Sequence, residues 1–267
     1  MSQTYTGNNM TTFSHSGTTG DTFCAMVIPK ILGGGDVYLR LNNLQKMVTE
    51  KLGWGDVGRH TGRMTQDDYD SMRELMLHQP YIHSFEVYNG EAIDYELENA
   101  CLHLETNCFP RNFSNQHGLA NGLDLNEHIK ELQMMPWMEC REPRRFPGRP
   151  LVMHRSPNYL DGNPIVSEKW QNIIDRGLTE QAVFVGQESD HAFFEETYKV
   201  TIPHYRTPDW MELARVIAGS EMMITSMGGP SALCLCLGKT MLLESRKNET
   251  HERLEINYPF RINISYF

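Results

Sequence analysis

The sequence has no apolar run of the roughly 18 residues that a membrane-spanning helix needs. It also lacks a CxxC pair and an HExxH motif, which are common signatures of zinc sites. The six cysteines are scattered along the 267 residues, so we expect reduced thiols and no metal centre. The first residues are polar and contain no apolar segment of a secretory signal, which predicts a cytoplasmic protein without a membrane span.

Positive charge is also scarce, because 24 Lys and Arg face 34 Asp and Glu for a net charge of −10. This excess of negative charge disfavours a general affinity for nucleic acid or for anionic membranes. One local group of arginines is an exception, and it lies in and beside a proline-rich stretch. It is either a solvated linker or a positive edge over a phosphate-binding cleft, and it comprises Arg141, Arg144, Arg145, Arg149 and Arg155.

A strand, a glycine turn and a short apolar helix follow one another in residues 222–238. Gly228 and Gly229 form the turn, and Pro230 suits the first helical position because its missing N–H costs nothing there. A helix N-terminus after such a turn presents N–H groups and a positive dipole end to an anion such as a phosphate or diphosphate. A βα turn that binds nothing gives the same pattern, so both interpretations stay open.

A second glycine turn lies near the start of the chain, between a predicted strand (11–16) and an apolar helix that ends at Gly33. The pattern is not GxGxxG, and the next predicted strand (36–41) does not end in an acidic residue, so a nicotinamide cofactor is not predicted. Asp21 follows the turn. It is either a helix-cap residue or a carboxylate at the carboxyl end of a strand that acts as a general base.

Strands and helices alternate through the chain, which predicts an α/β protein. We expect two Rossmann-like domains facing across a cleft, with a doubly wound parallel sheet in the C-terminal half. The predicted N-terminal domain is residues 1–142, with residues 1–10 as a loosely attached leader, and residues 143–150 form a Pro/Arg linker. The predicted C-terminal domain is residues 151–267, with strands at 151–154, 182–185, 199–202, 222–225 and 241–244. Ligands of such sheets bind at the carboxyl ends of the strands.

Three stretches resemble the heptosyltransferase-type glycosyltransferases of family 9, which have the GT-B fold. They are Ser16-Gly-Thr-Thr-Gly-Asp21 with the following helix, residues 152–170, and residues 213–238. The chain departs from the family at the last of these, because Ser226-Met-Gly stands where those enzymes usually carry Asp-Thr-Gly and a nearby histidine. This departure does not support heptose as the sugar, and the short chain indicates a reduced acceptor domain.

The resemblance implies a glycosyltransferase that moves a sugar from a nucleotide-diphosphate sugar to an acceptor hydroxyl, without a metal and without a further cofactor. Asp21 would be the general base, with His15 as the second candidate. Residues 1–142 would bind the acceptor, with Thr18, Thr19 and Gly20 on that side. Residues 151–267 would bind the donor, with its diphosphate at Arg155, Gly228, Gly229 and Ser231 and its nucleotide or ribose at Ser226, Glu188 and Glu244.

Two other functions stay open at this level. A transferase that glycosylates a modified base in DNA is disfavoured by the net charge, although the arginine group could serve it locally. A non-catalytic protein that binds nucleotide sugars would have the same fold. The sequence leaves the sugar, the nucleotide, the acceptor and the oligomeric state undetermined.

Overall fold

The computed structural model describes residues 10–42, 64–98, 113–123, 128, 136–156, 168–244 and 264–267. Within these ranges the chain forms two parallel β-sheets flanked by helices. The sequence also predicts a helix at 43–51 and a loop at 53–56, and both lie outside the described residues. No helix in the described ranges has the length and apolarity needed to cross a membrane.

The first sheet has the strand order β3-β2-β1-β4, and all its neighbours pair in parallel. Its strands are β1 (Thr12–His15), β2 (Gly35–Leu39), β3 (Ile82–Val87) and β4 (Tyr95–Glu96). The helices of this half are α1 (Thr19–Ala25), α2 (Val27–Ile31), α3 (Gln66–Leu77) and α4 (Phe113–Ala120). The predicted apolar helix after the first glycine turn is therefore two short helices that meet at Met26. The sequence predicts a capping box from Thr65 and Asp68 at the start of α3. It is confirmed, because each of these side chains bonds to the other residue's backbone N–H group.

The second sheet has the order β10-β9-β8-β5-β6-β7 and is again parallel throughout. Its strands are β5 (Leu151–His154), β6 (Ala182–Val185), β7 (His204–Tyr205), β8 (Met222–Ser226), β9 (Met241–Glu244) and β10 (Ile264–Tyr266). Its helices are α5 (Glu168–Asp175), α6 (Glu188–Tyr198), α7 (Trp210–Gly219) and α8 (Gly229–Cys236). This order confirms the predicted doubly wound sheet, in which the chain winds outward on both sides of β5 and β8.

One predicted strand of this sheet is wrong. The strand expected at 199–202 is β7 at His204–Tyr205, because Lys199 takes a left-handed backbone conformation (φ 54°) that ends α6. Strand β10, at the far edge beside β9, was not predicted from the sequence.

The two halves share one apolar core, in which α1 packs on α8 and α3 packs on α7. Phe23 of α1 and Trp210 of α7 meet edge to face with ring centroids 5.0 Å apart. The division into two domains at the linker, residues 143–150, stays a prediction. The described parts of the two halves pack directly against each other.

The arginines of the linker are engaged within the protein. Arg144 pairs with Glu212, and its backbone N–H donates to the carbonyl of Arg215. Arg149 donates to the carbonyls of Glu180 and Ala182 at 3.0 and 2.9 Å. These contacts of Arg144 and Arg149 fasten the linker onto the second half, whereas Arg145 is exposed.

Candidate active site

The two glycine turns predicted from the sequence lie against each other. A Cβ atom built on Gly20 would lie 3.5 Å from both the Cα of Gly229 and the Cβ of Ala232. The first glycine turn (Gly17–Asp21) follows the carboxyl end of β1, and the second (Gly228–Ser231) follows the carboxyl end of β8. The fold therefore brings together one strand end from each sheet, which is where parallel α/β sheets bind their ligands.

The second glycine turn is closed by Ser231. The N–H of Gly228 donates to Ser231 Oγ at 2.9 Å, and the Ser231 hydroxyl donates back to the carbonyl of Gly228 at 2.8 Å. The Ser231 side chain is buried, while Gly228 is exposed at the start of α8. The hydroxyl of Ser231 therefore shapes the turn, and Gly228 is the part of it that meets solvent.

Glycine is required at position 229 by the approach of a neighbouring ring. A Cβ atom there would lie 2.6 Å from Cη2 of Trp210, closer than such atoms come without a shift. Ser226, at the end of β8, is buried, and its hydroxyl oxygen accepts the N–H of Ser156 at 3.3 Å. Ser226 thus ties the segment after β5 to the end of β8.

Asp21 lies in the first turn of α1 and takes part in its cap. The hydroxyl of Thr18 donates to Asp21 Oδ2 at 2.9 Å, and the N–H of Asp21 points back to Thr18 Oγ1 at 3.4 Å. The N-cap residue of α1 is therefore Thr18, and Asp21 supports this cap from the first turn of the helix. Asp21, Thr18, Thr19 and Gly20 are all partly exposed at this turn.

His15 is fully buried at the end of β1. Its Nδ1 accepts the N–H of Gly17 at 2.9 Å and lies 3.0 Å from the hydroxyl of Thr22. Burial lowers the pKa of His15 well below its usual value, and the neighbouring His117 lowers it further. His15 is thus a neutral side chain that fixes the backbone of the first glycine turn.

His117, on α4, is a site residue that the sequence analysis missed. It is 1% exposed, and the centroids of its ring and the His15 ring are 5.5 Å apart. Its Nδ1 lies 2.7 Å from the carbonyl of Leu97. Burial lowers the pKa of His117, against the raising effects of this hydrogen bond and of the Asp21 charge. No local pattern could have found His117, because only the packing of α4 on α1 and α2 brings it to the site.

A partly buried group of polar side chains on β1 and its neighbours borders the same sheet edge. The Ser14 hydroxyl donates to Glu98 at 3.0 Å, and Arg40 pairs with Glu98 at 2.6 Å and with Glu96 at 2.8 Å. Burial raises the pKa of Glu98, against the lowering effects of Arg40 and Ser14. This group holds the ends of β1, β2 and β4 together beneath the first glycine turn.

Arg155 and Glu244 bind each other. Arg155 is fully buried, and its Nε lies 3.3 Å from Glu244 Oε2 on β9. The guanidinium also lies over the rings of Trp170 and Tyr198, at 6.0 and 5.5 Å from their centroids. Contact with a diphosphate or a ribose would require Arg155 or Glu244 to leave this arrangement.

Glu188, the other acidic residue predicted to bind the nucleotide or ribose, is exposed in the first turn of α6.

Another buried histidine, His154, lies at the end of β5. His154 Nδ1 lies 3.3 Å from the Thr225 hydroxyl, and its Nε2 lies 3.9 Å from Asp190. Burial lowers the pKa of His154 to about 4.

Within the ranges that the structure describes, no group of three or more His, Cys, Asp or Glu side chains is arranged to hold a metal ion.

No protein-family model matches the chain, and no curated protein matches it. A solved structure of a glycosyl transferase of family 9 from Veillonella parvula DSM 2008 matches 96% of this chain and 84% of its own, with a TM-score of 0.59 and 9% identity. The ADP-heptose lps heptosyltransferase II of E. coli matches 97% of this chain and 90% of its own, with a TM-score of 0.49 and 11% identity, which is too weak a likeness to support a conclusion. The Veillonella structure confirms the fold that the sequence predicts, two parallel-sheet α/β units in the GT-B arrangement.

Proposed function

We propose that this protein is a glycosyltransferase that moves a sugar from a nucleotide-diphosphate sugar to an acceptor hydroxyl. The observation that carries the proposal is the meeting of the two glycine turns at the carboxyl ends of β1 and β8. A donor held at one turn and an acceptor held at the other would be adjacent. The likeness of the fold to a family 9 glycosyl transferase supports the same conclusion.

The donor diphosphate would lie at the N-terminus of α8, beside the exposed Gly228. The N–H groups and the dipole of that helix end would stabilise the negative charge that grows on the departing diphosphate, so the reaction would need no metal ion. Pro230, the second residue of α8, has no N–H, so the neighbouring backbone N–H groups would make this contact.

Asp21 is the proposed general base. Its partly exposed carboxylate would take the proton of the acceptor hydroxyl, while the hydroxyl oxygen bonds to the sugar carbon and the nucleoside diphosphate leaves. His15 is unsuited to this role. Its Nδ1 already accepts the Gly17 N–H, and in the neutral ring the buried Nε2 carries the proton.

The experiment that tests the function is a thermal-shift screen of UDP-, ADP-, GDP- and CMP-linked sugars and of the free nucleotides. A ligand at about 100 times its dissociation constant adds about 2.7 kcal/mol to the free energy of unfolding, a shift that is easily measured. Positive donors are then incubated with sugar acceptors while released nucleoside diphosphate is recorded. Binding without release under every acceptor condition would identify a nucleotide-sugar-binding protein and contradict the transferase.

A matched pair of variants locates the binding site. Gly20→Asp and Gly20→Asn add side chains of nearly equal size at the junction of the turns, but only the aspartate adds negative charge. We expect Gly20→Asp to weaken donor binding more than Gly20→Asn, with a difference that shrinks as salt is raised. Equal effects would mean that the diphosphate does not lie at this junction.

A further inference from the structure

His15 and His117 leave one buried ring nitrogen each without a hydrogen-bond partner. The Nε2 atoms of both rings are buried and unsatisfied in the described structure. The rings are 0% and 1% exposed, and their centroids are 5.5 Å apart with 56° between their planes. Buried polar atoms are almost always satisfied, because an unmade hydrogen bond costs the full desolvation of the group.

The bonds at the opposite ring nitrogens fix the tautomers. His15 Nδ1 accepts the Gly17 N–H, so neutral His15 carries its proton on Nε2 and presents a donor there. His117 Nδ1 faces the Leu97 carbonyl, which can only accept, so neutral His117 carries its proton on Nδ1 and presents a bare acceptor at Nε2. The pair therefore offers one unsatisfied donor and one unsatisfied acceptor, on rings whose centroids are 5.5 Å apart.

We propose that His15 and His117 form a binding site for a single hydroxyl group. A hydroxyl oxygen would accept from His15 Nε2–H, and its proton would be donated to His117 Nε2. A hydroxyl is the smallest group that supplies both an acceptor and a donor, which is what these two atoms lack. The hydrogen bond from the Gly17 N–H to His15 places the site beside the first glycine turn.

Two sources can supply the hydroxyl. One is a buried water molecule, which commonly satisfies polar groups of this kind. The other is a hydroxyl of the acceptor sugar, an assignment that rests on the proposed function. In either case the bound hydroxyl joins α4 to the end of β1, and thereby holds the backbone that carries Asp21.

The test is long-range proton–nitrogen NMR on the full chain labelled with ¹⁵N-histidine. The eleven histidines are few enough to resolve, and the ring signals are assigned with His15→Gln and His117→Gln. If those variants do not fold, contacts of the rings to Thr22 and Leu97 assign them in the native protein. We expect opposite neutral tautomers near neutral pH, with the proton on Nε2 in His15 and on Nδ1 in His117.

The occupant is identified in the same sample. A water-frequency proton in contact with the His15 Nε2–H proton assigns a buried water. Loss of that contact together with shifts at both Nε2 atoms, when D-glucose, D-galactose or D-mannose is added, assigns a sugar hydroxyl. The exposed His83→Gln is the control and should leave these signals in place.

Three results would overturn the hydroxyl site: equal tautomers in the two rings, a doubly protonated ring near neutral pH, or a scalar coupling between the two Nε2 atoms that reports a direct hydrogen bond. None of these readings depends on sugar transfer. A protein without transferase activity can still show the hydroxyl site, and an active one can lack it.

Discussion

Gly20 and Gly229 meet backbone to backbone, since a Cβ atom on Gly20 would lie 3.5 Å from the Cα of Gly229. One residue belongs to α1 of the first half and the other to α8 of the second. The first glycine turn therefore lies directly against the second. Any movement of the halves would change the separation between the proposed acceptor and donor sites.

Alanine at the two glycines should separate a steric requirement from simple contact. Gly229→Ala places its methyl group 2.6 Å from Trp210 Cη2, so we expect the free energy of unfolding to fall by about 1–3 kcal/mol. The methyl group of Gly20→Ala, in α1, would make only ordinary van der Waals contacts with α8. We therefore expect the free energy of unfolding to stay the same or to rise by up to about 1 kcal/mol. Urea unfolding measures both, and equal destabilisation would contradict the Trp210 contact.

The buried pair of Arg155 and Glu244 should behave as a unit. Arg155→Met or Glu244→Met alone leaves the other group in a site built for an opposite charge, so each should cost about 3–5 kcal/mol. The double variant Arg155→Met/Glu244→Met should be closer to the native protein than either single variant. A double-mutant cycle in urea measures this coupling. Additive losses would show that the pair does not interact.

Asp21→Asn tests the general base with little change to the helix cap. Asparagine keeps an oxygen that can accept from the Thr18 hydroxyl, so the fold should be retained. We expect the rate of sugar transfer to fall by roughly 10²–10⁴-fold while donor binding is unchanged. Thr18→Ala, which removes the cap hydroxyl and keeps the carboxylate, is the control. A normal rate in folded Asp21→Asn protein would remove Asp21 from the mechanism.

The buried histidines should make the protein sensitive to acid. Burial lowers the pKa of His154 to about 4 and also lowers the pKa values of His15 and His117 below 6.5. In the unfolded chain these rings protonate near pH 6.5, so the unfolded state binds more protons below that pH. The free energy of unfolding should therefore fall as the pH drops, by about 3 kcal/mol for His154 alone between pH 7 and pH 4.

Urea unfolding at several pH values between about 7.5 and about 4.5 measures this loss. His154→Gln should flatten the dependence in the lower part of the range, and the exposed His83→Gln serves as the control. A free energy of unfolding that stays constant from about pH 6.5 to about pH 4.5 would contradict the neutral, buried state of these rings.

The sequence by itself determined the α/β class, most strands of the second sheet and both glycine turns. These features are local, because apolar runs, glycine turns and helix caps are encoded by neighbouring residues. One strand of the second sheet was predicted in the wrong place. Strand β7 lies beyond the predicted segment 199–202, because the local pattern gave no sign of the left-handed turn at Lys199.

Only the tertiary structure decided which polar residues meet. Arg155 and Glu244 both fell at predicted strand ends, yet their pairing depends on a sheet order that places β5 and β9 on either side of β8. His117 became a neighbour of His15 because α4 packs on α1 and α2. Such contacts join residues far apart in the chain, and hydrophobic burial selects them through the fold as a whole rather than through any local pattern.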